Sequence, residues 1–449
     1  MTKLNDEYIS ILNALDGDAT GRTNALDHLQ SSDVDAHGEP LNFSYVPYLV
    51  DEDLHNFFSN IVTTTHTILT KIIQHYCEDA SYRALFGYSK QLEDLIMLPC
   101  AYSQLLPMAR FDIFMDEETR DFKFCEFNTD GTSCMSRDLI LGEGVQLGEA
   151  FKQFSAKHTS VVNYELFKSW ARACLDDYFE TPNAVQNPLV VIADFMDEHA
   201  TFSDFNRFRD AFVALGARSK VVDIRDLAFD GEKLYDKNDG EQVHCVYRRA
   251  VTCDIQSKMD ECKALVDAVA AEKVCLVGHF RTTVVHTKTV NIALFLPETR
   301  AFLTQDECDF IDAHCPKTYR IETGMSLDLQ EIIDNPKGWI LKPEDDYGAK
   351  GVFAGPDFTD QAKWVETVKN HVDAGYIAQE YAQQHTTDVM FTGRDLDNTT
   401  PVQKFNAMPG LYSYNGKFAG IYLRCGNEGV IAVDHNGLVK PAFKVDLSD

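Results

Sequence analysis

The segment between residues 187 and 280 alternates short apolar runs with amphipathic stretches, and this alternation constrains the fold more than any other feature. The runs LVVIADF, SKVVDI and QVHCVYRRAV are typical of buried strands, and FNRFRDAFVALGARS is typical of a helix that ends at Gly216. Strand–helix–strand alternation indicates a parallel, Rossmann-like sheet covered by helices. Because the segment lacks G-x-G-x-x-G, we do not predict a dinucleotide there.

The flanking regions predict a mixed α/β (α+β) architecture. The stretch from Leu54 to Ala80 has the spacing of an amphipathic helix, and SLDLQEIIDN and TDQAKWVETVKNHVDA predict two later helices. Strands are predicted at GWILKPE, YIAQEYA and GKFAGIYLRC. Since no linker rich in Pro, Gly or Ser separates these regions, we expect the domains to interleave.

Composition narrows the class of partner. The 449 residues carry a formal net charge of −29, which disfavours nucleic acids and anionic membrane surfaces. The sequence has no long uncharged apolar run and no basic segment followed by an apolar one at its start, so neither a membrane span nor a secretory signal is expected. The twelve cysteines form no C-x-x-C pair, which favours reduced core residues of a cytoplasmic protein.

The stretch MARFDIFMDEETRDFKFCEFNTDGTSC is the most informative for chemistry. Two apolar runs flank the polar turn DEETRD, which predicts a β-hairpin. Residues two apart in a strand share a face, so Arg110 should point with Asp112, and Glu126 with Asn128. Carboxylate and amide oxygens suit Mg²⁺, so we predict a metal site at Asp112, Glu126 and Asn128. The alternative is an exposed hairpin face with an ordinary Arg–Asp pair.

A second stretch, GWILKPEDDYGAKGVFAG, delivers Lys342 from an apolar strand into a loop that contains Gly348 and Gly351. Lysine and glycine in this order suit a phosphate site, although the spacing is not that of a Walker P-loop. A hairpin with a flexible turn explains the stretch equally well. Three candidates are weaker. The segment Gln379–Glu380–Tyr381 could contact an adenine, Lys288 could bind phosphate, and Arg424 could stabilise developing negative charge.

Taken in order, these segments resemble the glutathionylspermidine synthetase family and, more distantly, the eukaryotic-type glutathione synthetases. The resemblance is carried by RFDIFMD, FCEFNTDGTSC, VYRRA, TKTVNIALF, ILKPEDDYGAKGV, YIAQEY and NGKFAGIYLRCGNEGVI. It implies an ATP-grasp fold with permuted elements, an inserted Rossmann-like unit and a lid. Three domains are expected. Residues 1–186 form an N-terminal helical region with the metal-binding hairpin, and residues 187–285 form the Rossmann-like substrate domain. Residues 286–449 supply the remaining ATP-grasp segments, with a lid at about 325–378.

The resemblance also implies roles for single residues. Asp112, Glu126 and Asn128 correspond to the ligands of two Mg²⁺ ions, and the two catalytic arginines are Arg110 and Arg424. The implied ATP-binding residues are Lys288, Lys342, Gly348, Gly351, Gln379, Glu380 and Tyr381. Ser133 and Arg137 fall where the family holds the substrate that carries the carboxylate.

The function implied is ATP-dependent ligation of a carboxylate to an amine through an acyl phosphate. The expected substrates are a carboxylate such as glutathione and an amine such as a polyamine, and a homodimer is expected. Two departures weaken this specificity: His286-Thr287-Lys288 replaces the family's S-N-K, and the loop after Lys342 is unusually acidic. The alternatives are an inactive nucleotide-binding protein and a phosphotransferase.

Overall fold

The structure is a computed structural model in which residues 3–35, 41–197, 201–345, 350–392, 401–433 and 437–446 are described. Its first part supplies helices and the two strands of the predicted hairpin. The elements are α1 (Lys3–Ala14), α2 (Ala19–Gln30), β1 (Phe43–Ser44), β2 (Tyr48–Val50), α3 (Glu52–Glu78), α4 (Ala80–Ala84), α5 (Lys90–Ile96), β3 (Met108–Met115), β4 (Phe122–Asn128), α6 (Met135–Gln146), α7 (Glu149–Ser155), β5 (Val161–Asn163) and α8 (Phe167–Phe179).

Helix α3 is the amphipathic helix predicted from Leu54. It begins where the Asp51 carboxylate accepts a hydrogen bond from the Leu54 N–H at 2.9 Å, which is an N-cap. Its buried side recurs at three- and four-residue steps, so the apolar spacing outweighs the low helix propensity of its threonines.

The parallel unit follows, as the sequence predicts. Its elements are β6 (Leu189–Asp194), α9 (Phe202–Ala214), β7 (Arg218–Asp223), β8 (Leu227–Phe229), β9 (Leu234–Asp236), β10 (Cys245–Arg248), α10 (Thr252–Ser257), α11 (Met259–Ala270) and β11 (Cys275–Val277). Four strands pair in parallel in the order β11-β10-β6-β7. Gly216 follows α9 with φ +89°, a conformation that glycine adopts without strain, and it ends the helix as predicted.

The last part combines short helices with long antiparallel strands. Its elements are α12 (Thr289–Ala293), α13 (Pro297–Arg300), α14 (Gln305–His314), β12 (Thr318–Arg320), α15 (Leu329–Asp334), β13 (Trp339–Pro343), β14 (Phe353–Ala354), α16 (Gln361–Asn370), β15 (Tyr376–Glu380), β16 (His385–Val389), β17 (Phe391–Thr392), β18 (Gln403–Tyr414), β19 (Lys417–Gly426), β20 (Leu438–Lys440) and β21 (Ala442–Val445).

An eight-stranded sheet forms the centre, with the strand order β17-β1-β20-β19-β18-β3-β4 and β16 paired to β18. Its strands come from both ends of the chain, so the expected interleaving is present. A separate sheet, β12-β15-β13-β14, packs with α15 and α16 around the buried indoles of Trp339 and Trp364. This unit contains most of the predicted lid. None of the helices in the described ranges is both long enough and apolar enough to cross a membrane.

Candidate active site

A cavity of about 980 Å³ opens between the hairpin β3–β4, the parallel unit and the small sheet that contains β13 and β15. Most of the predicted site residues line it: Arg110, Glu126, Asn128, Ser133, Arg137, Lys288, Lys342, Gln379, Glu380, Tyr381 and Arg424. We call the part around Glu126 and Lys342 the phosphate end. The part around Asp194 and Arg249, at the edge of the parallel sheet, is the Rossmann end.

Asp112 organises the phosphate end from behind the cavity wall. Its side chain is fully buried, and Arg110 donates to both carboxylate oxygens at 2.8 and 3.1 Å. Arg424 donates to the same carboxylate from β19. Burial alone would raise the pKa of Asp112, but Arg110 and Arg424 outweigh it and hold that pKa below its usual value. Asp112 is therefore an anion that fixes two arginines.

A glycine makes this arrangement possible. Gly410 on β18 lies directly opposite Asp112, and a Cβ there would stand 2.5 Å from Asp112 Oδ1 and 2.7 Å from Arg110 Cδ. Both guanidinium groups also stack over the ring of Tyr422, at 5.4 and 5.6 Å from its centroid. The Arg110–Asp112–Arg424 group thus requires the register of β3, β18 and β19 as well as its own residues.

The hairpin register confirms the face-sharing predicted from the strand period. Arg110 pairs with Asn128, and Asp112 pairs with Glu126. Asn128 Nδ2 donates to Asp112 Oδ2 at 2.8 Å, so its Oδ1 is left as an oxygen acceptor. Lys288 Nζ lies 3.7 Å from Glu126 Oε1. Burial acts to raise the pKa of Glu126, but nearby cations, Lys288 foremost and then Lys342, outweigh it and hold that pKa below its ordinary value.

The donor set can be tested against magnesium. In the described part of the chain, no group of three or more His, Cys, Asp and Glu side chains is arranged to hold a metal ion. Glu126 and Asn128 present oxygens to the cavity, whereas Asp112 is already bonded to two arginines. Two protein oxygens fit Mg²⁺, which keeps several waters and accepts phosphate oxygens for the rest of its shell.

The second predicted lysine is positioned by the small sheet. Lys342 leaves β13 with its ammonium 2.8 Å from Gln379 Oε1 on β15 and 3.2 Å from the Cys125 carbonyl on β4. The side-chain amide of Gln379 therefore holds the lysine, and the adenine contact of the Gln379–Tyr381 segment stays a prediction. Lys350 and Val352 line the cavity on either side of Gly351. The prediction for Gly348 lies outside the described residues.

The acidic loop after Lys342 should repel phosphate, but Glu344 is directed elsewhere. Its carboxylate accepts hydrogen bonds from Thr289 at 2.7 Å and from Arg320 Nε at 2.8 Å. Its carbonyl also accepts the Lys288 N–H at 3.0 Å. Glu344 therefore joins the small sheet to the segment that carries Lys288.

Ser133 and Arg137 lie where the hairpin leads into α6. The Ser133 carbonyl accepts hydrogen bonds from Arg110 and from the Tyr412 hydroxyl, at 3.2 and 2.7 Å. Arg137 is buried and donates to the Tyr422 hydroxyl at 3.2 Å. Both line the cavity next to the phosphate end, which suits the predicted contact with the carboxylate substrate.

Comparisons with known proteins agree with this architecture. Residues 189–408 match the sequence profile of the family described as circularly permuted ATP-grasp type 2. The structure is similar to that of a glutathione synthetase-like effector from Globodera pallida in its apo form, with a TM-score of 0.61 and 13% identity over 95% of this chain and 97% of that chain. The fold is of the ATP-grasp type. No protein of curated function matches the sequence at a significant level.

A second solved structure, assigned as a gamma-glutamylcysteine synthetase from Methylobacillus flagellatus KT, gives a TM-score of 0.40 with 10% identity over 82% of each chain. The finer resemblance to glutathionylspermidine synthetases stays a prediction.

The Rossmann end of this ATP-grasp cavity was not predicted from the sequence. Asp194 at the end of β6 and Arg249 just after β10 line it together with Asp197, Asp254 and Lys258. Burial, as the largest influence, raises the pKa of Asp194 to about 6, although Arg249 acts in the opposite direction. Arg249 is almost fully buried between the rings of Phe205 and Tyr247 and donates to the Thr132 carbonyl, which fixes its position. The sequence did contain a signal for this end: one predicted strand ends in Asp and another in Arg-Arg. Ligands of open parallel sheets bind at the carboxyl edge, where these residues lie.

Proposed function

We propose that this protein is an ATP-dependent ligase that joins a carboxylate to an amine through an acyl phosphate. The observation that carries the proposal is the division of charge along one cavity. Around the two hairpin carboxylates, Asp112 and Glu126, stand four cationic side chains that exceed them by two positive charges: Arg110, Lys288, Lys342 and Arg424. Such an end suits a triphosphate, and the ATP-grasp fold supports ATP as that ligand.

In this proposal Glu126 and Asn128 hold magnesium, with Asp112 behind them, and the metal neutralises phosphate charge when bound. Lys288 and Lys342 hold the triphosphate. Arg110 and Arg424 face the γ-phosphoryl group as the substrate carboxylate attacks it, and they stabilise the charge that develops on its oxygens. Ser133 and Arg137 position the carboxylate, since they line the cavity beside Arg110.

The Rossmann end supports the amine half of the reaction. Three aspartates and two cationic side chains line it, which suits a ligand that carries an ammonium group. The amine attacks the acyl carbon, and phosphate leaves. A thiol peptide such as glutathione and a polyamine remain the substrates suggested by the resemblance. The cytoplasmic location and the homodimer also remain predictions, as do the domain boundaries and the lid.

The test is a screen for ADP release with Mg-ATP across carboxylates, including glutathione, with hydroxylamine as the amine. Formation of a hydroxamate together with ADP supports the ligase, because hydroxylamine captures an acyl phosphate. ADP release with phosphorylation of a hydroxyl group would favour the phosphotransferase. Binding of ATP without turnover of any carboxylate would favour the inactive nucleotide-binding protein.

A further inference from the structure

His286 lies at the junction of the two ends of the cavity. It follows the turn Phe280–Val285, and its half-buried ring lines the cavity. The ring reaches the loop that leaves the hairpin, because its Nδ1 accepts the Thr129 N–H at 3.4 Å. Thr129 directly follows Asn128, so the imidazole stands beside the place where the hairpin presents its oxygens.

Electrostatics give the same location. At the phosphate end, Glu126 stands against the Lys288 ammonium, with Nζ 3.7 Å from Oε1. The His286 side chain is near enough to Glu126 and Asp130 to interact electrostatically with both. Glu126 belongs to the phosphate end, whereas Asp130 is paired with Arg248 on β10 at 2.6 Å. The imidazole therefore stands between the two halves of the proposed reaction.

The hydrogen bond from Thr129 determines which nitrogen carries the proton. A backbone N–H can only donate, so Nδ1 must keep its lone pair and the neutral ring carries its proton on Nε2. A second proton on Nδ1 would set two N–H groups against each other. Among the described residues, no hydrogen bond engages Nε2. The ring is thus a neutral donor held at one nitrogen and available at the other.

We propose that His286 is a catalytic residue whose Nε2–H donates to the acyl oxygen while the amine attacks the acyl phosphate. The proposal rests on the ligase function given above. A neutral donor that is already fixed in place stabilises an oxygen on which charge develops, and it does so without reorganisation. Because the ring is neutral, it does not compete with the Lys288 ammonium for the phosphate group.

The step balances without any change in the protonation of His286. The amine nitrogen forms a bond to the acyl carbon, and the electron pair of the C=O π bond moves to the oxygen that Nε2–H contacts. That pair then returns, the bond from the acyl carbon to the phosphate oxygen breaks, and the departing phosphate takes the proton lost by the nitrogen. The imidazole keeps its proton on Nε2 throughout.

The tautomer can be tested without a substrate. In the full-length protein with ¹⁵N-labelled histidine, the His286 signals are identified as those missing from the His286→Gln variant. We expect an unprotonated Nδ1 and a protonated Nε2 at neutral pH. A ring protonated on Nδ1, alone or together with Nε2, would overturn the proposal.

The catalytic role is tested with glutathione, or with the carboxylate that the screen identifies, and hydroxylamine. His286→Ala should slow hydroxamate formation roughly a hundredfold while the KM for ATP stays near that of the wild type. His286→Gln keeps an N–H donor and should recover about tenfold of this loss with a pH profile parallel to that of the wild type. His28→Gln, on the surface helix α2, is the matched control and should leave the rate unchanged.

Two failures are distinguishable. A wild-type protein that forms no hydroxamate with any carboxylate overturns the ligase function and this role with it. An active wild type whose folded His286→Ala variant is equally fast overturns the role of His286 alone.

Discussion

The two ends of the cavity are built from different kinds of sheet and carry different charge. The phosphate end lies on antiparallel strands and collects four cations around two carboxylates. The Rossmann end lies at the carboxyl edge of parallel strands, where Asp194, Asp197 and Asp254 outnumber Arg249 and Lys258. On the proposed function, this difference in charge directs a polyanion to one end of the cavity and an ammonium group to the other.

The contrast extends to protonation. At the phosphate end, cations outweigh burial and keep the pKa values of Asp112 and Glu126 low. At the Rossmann end, burial is the stronger influence and raises the pKa of Asp194 to about 6. The net charge of −29 does not describe the phosphate end, since positive charge is concentrated there.

The assignment of the phosphate end depends most on Glu126. Glu126→Gln removes a charged oxygen ligand, so kcat for ADP release should fall about a hundredfold or more. Glu366→Gln, an exposed change on α16, is the control and should be silent. Turnover of the Glu126 variant at the wild-type rate would show that Glu126 does not hold the metal.

The assignment of the Rossmann end can be tested at Arg249. With an amine substrate that also carries a carboxylate, Arg249→Met should raise the KM about tenfold to a hundredfold, the worth of one charge-assisted hydrogen bond, whereas the KM for a polyamine should not rise in this way. The KM for ATP should stay unchanged, because Arg249 lines the Rossmann end of the cavity. Arg209→Met on the surface of α9 is the control. An equal rise in both KM values would erase the distinction between the ends.

The two ends should also differ in how the KM of each substrate responds to pH. As the pH falls through about 6, the Asp194 carboxyl takes up a proton and becomes neutral, because burial raises its pKa. Attraction of an ammonium group then weakens, so the KM for the amine should rise severalfold, up to about tenfold per pH unit for one proton. The KM for ATP should not follow this transition, and Asp194→Asn should abolish it. If the rise in KM near pH 6 persisted in Asp194→Asn, a group other than Asp194 would be responsible for it.

A smaller change is expected at Glu344, which links the small sheet to the segment that carries Lys288. Glu344→Gln weakens a partly exposed ion pair with Arg320 that is worth up to about 1 kcal/mol, so the KM for ATP should rise only a few-fold. Glu322→Gln, an exposed change near the same strand, is the control. A lower KM would mean that Glu344 repels the phosphates instead of positioning Lys288.

The parts of the fold that follow from local periodicity could be predicted from the sequence. The hairpin turn and the two-residue period of a strand are enough to place Arg110 with Asp112, and Glu126 with Asn128, and the register confirms both pairs. The parallel unit followed from alternating apolar and amphipathic runs, and the ATP-grasp fold followed from the resemblance.

What the sequence could not supply were contacts set by distant strand registers. Arg424 reaches Asp112 only because β18 lies between β3 and β19, and the two residues are far apart in the chain. Asp194 and Arg249 meet because β6 and β10 pair in parallel and end at one edge. The pairing of Glu344 with Arg320 likewise depends on how the small sheet packs, so an acidic loop could not be reconciled with a phosphate site beforehand.

The most direct test of the acyl-phosphate mechanism uses a substrate carboxylate labelled with ¹⁸O, with ³¹P NMR of the phosphate that is released. We predict that one ¹⁸O atom passes from the carboxylate to inorganic phosphate in each turnover, because the attacking oxygen leaves with the phosphoryl group. Amide formation with ADP release and unlabelled phosphate would contradict the mechanism.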